Sequence, residues 1–149
     1  MRRRQFLAAG GGVAVALAIA APPARANPAE AQQAIRQLVG AARIERGRIR
    51  LDLPPLVENG NVVPIRVSVD SPMTAADHVK AIYLFAEKNP LPVVAVFRFG
   101  PRAGRASVEA RIRLADSQSV TAICEMSDGS FWSDSVDAVV TLSACVETS

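Results

Sequence analysis

Three side chains in this 149-residue chain are suited to covalent or acid–base chemistry: Cys124, Cys145 and the sole histidine, His78. A protein zinc site draws on clustered Cys and His ligands, and neither a Cys-x-x-Cys nor a His-x-x-x-His spacing occurs here. No Gly-x-Ser-x-Gly elbow marks a serine nucleophile either. His78 stands beside Asp77 and reads as a loop or strand-edge residue. Phe131 and Trp132 follow a turn and read as core or interface packing, while the acidic residues scatter along alternating segments as solvated faces. The cysteines are what remains.

They do not read as a disulfide. If Asp128 and Gly129 are the centre of a tight turn, positions summing to about 257 face each other, and Cys124 lies opposite Ser133. Cys145 then stands 12 residues further along the same strand. That is roughly 40 Å of extended chain, against the about 4.4–6.8 Å between Cα atoms that a bridge requires. Cys124 belongs to the apolar series Val120, Ala122, Cys124, Met126 and is expected in the core as a small hydrophobe. Cys145 follows the last strand and is expected to be accessible.

The N-terminus indicates the compartment. Arg3-Arg4-Gln5-Phe6-Leu7 fits the core of a twin-arginine export signal, and a weakly apolar stretch of about 14 residues follows from Ala8 to Ala21. It is too short to span a bilayer, and Gly10-Gly11-Gly12 within it is no phosphate loop. Ala24-Arg25-Ala26 supplies a cleavage pattern, so the mature protein is expected to begin near Asn27 and to reside in the periplasm. The alternative is a plain secretory signal. The first 26 residues hold four of the 17 basic residues and no acid, which leaves 13 basic against 14 acidic residues in the remainder. That balance removes the electrostatic case for nucleic-acid binding. No later apolar run is long enough for a membrane span.

Two periodicities must position the cysteines. Pro28 to about Ala42 reads as a helix, with Ile35, Leu38, Val39 and Ala42 on one stripe. From Ile49 the period changes to two: Val63, Ile65, Val67 and Val69 alternate with Pro64, Arg66, Ser68 and Asp70. Asn59-Gly60 predicts a hairpin joining that strand to the run Ile49–Val57, which Pro54 and Pro55 interrupt. Further strands are predicted over Val79–Glu87, Val93–Phe99, Ala106–Leu114, Val120–Met126 and Phe131–Leu142. The expected fold is all-β, an immunoglobulin-like antiparallel β-sandwich of about seven strands preceded by one N-terminal helix. The segments are then a signal over 1–26, a helical segment over 27–48, the sandwich over 49–142 and a tail over 143–149 carrying Cys145.

Several stretches resemble the SoxY family, the sulfur-carrier proteins of the thiosulfate-oxidising Sox system. They are Leu51-Asp52-Leu53-Pro54, Glu58-Asn59-Gly60-Asn61-Val62-Val63-Pro64-Ile65 and Val69-Asp70-Ser71-Pro72-Met73-Thr74. Phe85-Ala86-Glu87-Lys88-Asn89-Pro90 and Glu125-Met126-Ser127-Asp128-Gly129 extend the likeness. The resemblance implies a sandwich paired with a SoxZ-like subunit, with no cofactor and no catalysis of its own. It implies Cys145 as the point of covalent substrate attachment, served by a conjugating cytochrome, a sulfate-releasing hydrolase and a sulfur dehydrogenase. In the family the carrier cysteine sits in a Gly-Gly-Cys-Gly-Gly tail, whereas here Ser143-Ala144 precede Cys145 and Val146-Glu147 follow it. Glu147 and the terminal carboxylate place negative charge beside the thiol, which disfavours the thiolate. Two other readings stand beside the carrier. One is a non-carrier accessory module tied to a quinoprotein dehydrogenase, and the other is an enzyme with Cys145 as nucleophile and His78 as its base.

Overall fold

The structure, a computed structural model, describes residues 27–144. The first element is helix α1, Pro28–Val39. Asn27 caps it: its Oδ1 accepts from the Glu30 N–H at 3.0 Å, and Pro28 occupies the first turn, where no amide donor is needed. The helix ends at Val39, three residues before the stripe read from the sequence would end; Gly40 (φ 62°) caps it, and Ala42 lies outside it.

Nine strands follow in chain order: β1 (Ile44–Glu45), β2 (Ile49–Asp52), β3 (Leu56–Val57), β4 (Val63–Val69), β5 (Val79–Ala86), β6 (Val93–Arg98), β7 (Ser107–Ile112), β8 (Gln118–Met126) and β9 (Phe131–Val140). They form two sheets. The larger runs β1-β9-β8-β5-β6 with β3 also on β9, and the smaller runs β2-β4-β7. The predicted sandwich is therefore present, its seven longer strands joined by the two-residue β1 and β3, both of which lie parallel to β9. Among the described residues no helix is long and apolar enough to cross a membrane.

Burial follows from the alternation. In β4, Val63, Ile65, Val67 and Val69 point inward and meet Ile82 and Leu84 of β5 and Val120, Ala122, Cys124 and Met126 of β8. The central strand β5 reads as a nearly continuous apolar run because both of its faces are covered. Its inward side chains enter the sandwich core, while Tyr83 and Phe85 join Ile123 and Phe131 beneath Ile35, Leu38 and Val39 of α1. The helix thus shields the outer face of the larger sheet.

Three local expectations are corrected. The expected antiparallel pairing of the Ile49 run with β4 is present, Ile49 matching Val69 and Asp52 matching Arg66, but it stops at Asp52, so the connection is the long 53–62 segment and not a tight Asn59-Gly60 turn. Pro54 and Pro55 interrupt the run as expected, and β3 beyond them crosses to the other sheet, setting Leu56 against Val139. The β8–β9 loop holds three residues rather than two, because Gly129 at φ 83° follows Asp128 and the Met126 N–H donates to the Ser130 carbonyl at 2.9 Å. Cys124 consequently faces Trp132, not Ser133.

One acidic residue on β9 is more than a solvated face. Asp134 Oδ2 accepts from the Leu51 N–H at 2.9 Å, satisfying an amide on the open edge of β2 and tying the two sheets together. Asp134→Ala is expected to lower unfolding stability by about 1–3 kcal/mol because it orphans that amide. Asp134→Asn, which keeps an acceptor oxygen, should lose less. Urea titration checks this through a lowered midpoint at unchanged slope.

Candidate functional site

The strand directions place everything near the C-terminal residues at one end of the sandwich. Gln118 pairs with Ala138 and Val120 with Ala86, so the end of β9, the start of β8 and the end of β5 coincide. Beyond β9 the chain does not simply leave the body. The Thr141 N–H donates to the Val57 carbonyl at 2.9 Å, and the Leu142 carbonyl accepts from the Gly60 N–H at 2.7 Å. The Gly60 carbonyl in turn accepts from the Leu114 N–H at 2.8 Å, and the Leu114 carbonyl accepts from the Ala144 N–H at 3.1 Å. Ala144 is buried, so packing extends two residues past Leu142, contrary to the tail expected to be free from residue 143.

Gly60 is at the centre of this lacing. A Cβ there would sit 2.4 Å from the Leu114 carbonyl oxygen, 2.9 Å from the Ala144 nitrogen and 3.0 Å from the Leu142 carbonyl oxygen. Its φ is not positive, so the requirement is space and not an unusual backbone conformation. The Asn-Gly pair that predicts a hairpin therefore marks a close approach of three backbones.

A buried polar pair holds the Leu114 segment in place. Asn89 donates through Nδ2 to the Arg113 carbonyl at 2.8 Å, and its Oδ1 accepts from the Ala115 N–H at 3.0 Å and from Gln118 Nε2 at 2.9 Å. The Gln118 Oε1 accepts from the Lys88 N–H at 2.8 Å. These two side chains are buried and fully partnered, as a low-dielectric site requires. Sequence reasoning passed over both; an Asn within the Pro-flanked 88–92 loop was the available signal.

Cys145, the predicted attachment site, lies outside the described residues, as does the N-terminal signal. Cys124 is elsewhere. It is completely buried near the opposite end, and burial pushes its thiol up to about 11. His78 also lies at that far end, with Nδ1 3.0 Å from the Thr74 carbonyl oxygen and its N–H bonded to Ser127 Oγ. The length of β5, about 25 Å, separates it from the Ala144 end. Beside His78, Arg48 bonds both carboxylate oxygens of Asp77 and lies over the Trp132 ring at 5.8 Å from its centroid. These contacts account for Asp77 and for the half-buried Trp132.

The arrangement defines a class: an immunoglobulin-like sandwich that carries no assembled catalytic group among its described residues and brings its C-terminal chain out through a tightly laced end. The chain belongs to the SoxY family, whose profile, described as sulfur oxidation protein SoxY, matches residues 35–145. Among solved structures it is similar to the sulfur carrier protein SoxY from Chlorobium limicola f thiosulfatophilum. That likeness has 26% identity and a TM-score of 0.62, covering 74% of this chain and 96% of that one. Superoxide reductase (neelaredoxin) from Ignicoccus hospitalis shares the fold at 21% identity and a TM-score of 0.56, covering 77% and 94% of the two chains. Superoxide reductase from Nanoarchaeum equitans does so at 14% identity and 0.53, covering 64% and 99%. No curated protein matches the chain. The family and its solved member support a sulfur-oxidation carrier protein, the coarse form of the expectation read from the sequence.

Proposed function

We propose that this protein carries sulfur intermediates covalently on Cys145 and presents them to separate periplasmic enzymes. The observation that carries the reading is that the family match runs to residue 145, while Ala144, the residue before it, is held at the end of the sandwich. The thiol is then presented by the body and catalyses nothing. Loading forms a bond between the cysteine sulfur and the sulfane sulfur of thiosulfate, releasing the thiol proton and passing two electrons to a haem cytochrome. Water then attacks the sulfonate sulfur; sulfate leaves, and the electron pair of the broken S–S bond stays on the sulfane sulfur as a cysteine persulfide. A sulfur dehydrogenase then oxidises that outer sulfur to a sulfonate, its oxygens coming from water and its electrons passing to a haem acceptor, and a second hydrolysis of the S–S bond releases sulfate and frees the thiol for another cycle.

A SoxZ-like subunit is the proposed permanent partner. Support for it comes from the family and from β6, an edge strand of the larger sheet with exposed Val93 and Val96. The periplasmic location rests on Arg3-Arg4-Gln5-Phe6-Leu7.

The test is intact mass of the mature protein after incubation with thiosulfate and a thiosulfate-conjugating Sox cytochrome. A gain of one thiosulfate is expected, reversed by thiol reductant. A chain that stays unmodified while its partner subunit still binds would establish the accessory reading, in which Ser143, Ala144, Val146 and Glu147 replace the family's glycines because no enzyme enters there.

A further inference from the structure

The edges of the two sheets are not equally protected. β9 is flanked by β1 and β3, the Leu51 amide of β2 is taken up by Asp134, and β6 meets β5 through a register shift at Leu84/Phe85. β7 differs. It pairs with β4 without interruption from Val63 opposite Ile112 to Ser68 opposite Ser107, and no described strand pairs with its other side. The Val69 N–H donates to the Ala106 carbonyl and the Leu114 N–H to the Gly60 carbonyl, so the even-numbered residues of this segment bond towards β4. Alternation turns the amides and carbonyls of Ser107, Glu109 and Arg111 to the open side. The strand has neither the proline nor the bulge that commonly blunts such an edge.

Its side chains make that edge self-matching. Glu109 and Arg111 are both exposed and stand on either side of Ala110. Two copies of β7 set antiparallel about a twofold axis at Ala110 place Glu109 of each opposite Arg111 of the other. Both residues direct their backbone groups outward, so each such pair exchanges two N–H···O=C bonds. On the inward face, half-buried Val108 meets Ile112 of the second copy. Moving the axis to position 109 or 111 sets Glu109 against Glu109 or Arg111 against Arg111, and like charges penalise those registers. An axis half a position away faces outward-bonding backbone with inward-bonding backbone. The match also extends a row already present. Asp52, Arg66 and Glu109 are cross-strand neighbours, Arg66 Nη2 lies 2.6 Å from Glu109 Oε1, and Arg111 of the second copy adds the next positive charge. β6, with Arg98 as its one charged residue, offers no such match.

We propose that β7 is a self-association edge, where a second copy of this chain joins through its own β7 and continues the sheet β2-β4-β7 into its counterpart across a twofold axis. The interface uses the same edge of both copies and therefore closes at two. It leaves β6 open to a SoxZ-like subunit and does not depend on the carrier reading.

The test is sedimentation velocity of the full mature chain over a dilution series. Wild type should pass from dimer to monomer on dilution, and added salt should favour the monomer. Arg111→Glu sets two carboxylates against each other at both ends of the twofold, and the dissociation constant should rise at least about 10-fold. Within its own chain Arg111 lies opposite Pro64, so no described ion pair is lost and the urea midpoint should stay where it is. Glu109→Lys should weaken the dimer likewise. An equimolar mixture of the two variants restores both opposite-charge pairs, and it should associate where neither variant does alone. A wild-type chain still monomeric at about 1 mM overturns the proposal, as does a dimer indifferent to Arg111→Glu. So does a mixture that fails to associate although both variants are folded by circular dichroism. If Arg111→Glu abolishes the heterodimer with a SoxZ-like subunit on gel filtration, the edge belongs to that subunit and the proposal falls.

Discussion

Gly60→Ala should destabilise the fold by about 3 kcal/mol, a large effect for the addition of one methyl group. The reason is the company that methyl would keep. All three neighbours within 3.0 Å are backbone atoms of Leu114, Ala144 and Leu142, so no flexible side chain can swing aside. Relief requires breaking the bonds that lace those segments, at 2.7, 2.8 and 3.1 Å. Two measurements check it. The urea midpoint should fall at unchanged slope, and the Ala144 amide should exchange with solvent faster than amides in the middle of β8. A variant within about 0.5 kcal/mol of wild type would show that the end of the sandwich is looser than its geometry states.

The two cysteines should differ sharply in native reactivity, because only a thiolate that solvent can reach is an effective nucleophile. At pH 8 a thiol near 11 is about one part in 1,000 thiolate, whereas one at the ordinary 9.0 is about one part in ten, and Cys124 is additionally closed to solvent. Alkylation of the native protein followed by peptide mapping should find label on Cys145 only, with Cys124 labelled after denaturation. Cys145→Ser should abolish native labelling and sulfur loading while leaving the urea midpoint where it was. Cys124→Ser should do the reverse, costing about 1–3 kcal/mol through a hydroxyl buried in an apolar site. The same burial makes a pH prediction. The folded state holds the Cys124 proton more tightly than the unfolded chain does, so this contribution to stability is complete below pH 9 and is lost as pH rises from 9 towards 11. Comparing wild type with Cys124→Ala over that range isolates it. Equal labelling of both thiols in the native protein would overturn the division of roles.

Much of the scaffold is legible in the residues themselves. The period of two in Val63, Ile65, Val67 and Val69 is the burial pattern of β4, because alternation is built into a pleated strand. The same reasoning placed Cys124 in the core, where it is completely buried. Pro28 marks the start of the helix through backbone chemistry that acts within one turn, whereas the apolar stripe carries on to Ala42, past the end that Gly40 sets. The resemblance to SoxY is likewise a property of the sequence, and it brought Cys145 forward as the attachment site.

What the residues could not decide is partnership over distance. Asn59-Gly60 carries a strong local preference for a tight hairpin, yet of the run expected to pair with β4 only Ile49–Asp52 does so, while β3 pairs with a strand some 80 residues away, Leu56 against Val139. The loop of β8–β9 shifted by one residue because Gly129 could take a left-handed conformation, which replaced Ser133 by Trp132 opposite Cys124. Asp134 looks like any solvated acid until the edge of β2 is brought against it. The lacing of Gly60, Leu114 and Ala144 joins three segments that no sequence window contains. Periodicity, capping and turn preference are short-range effects encoded in neighbouring residues. Which backbones meet, and how closely, is settled only when the two sheets close over one core, and it is that closure that holds Ala144 against Leu114.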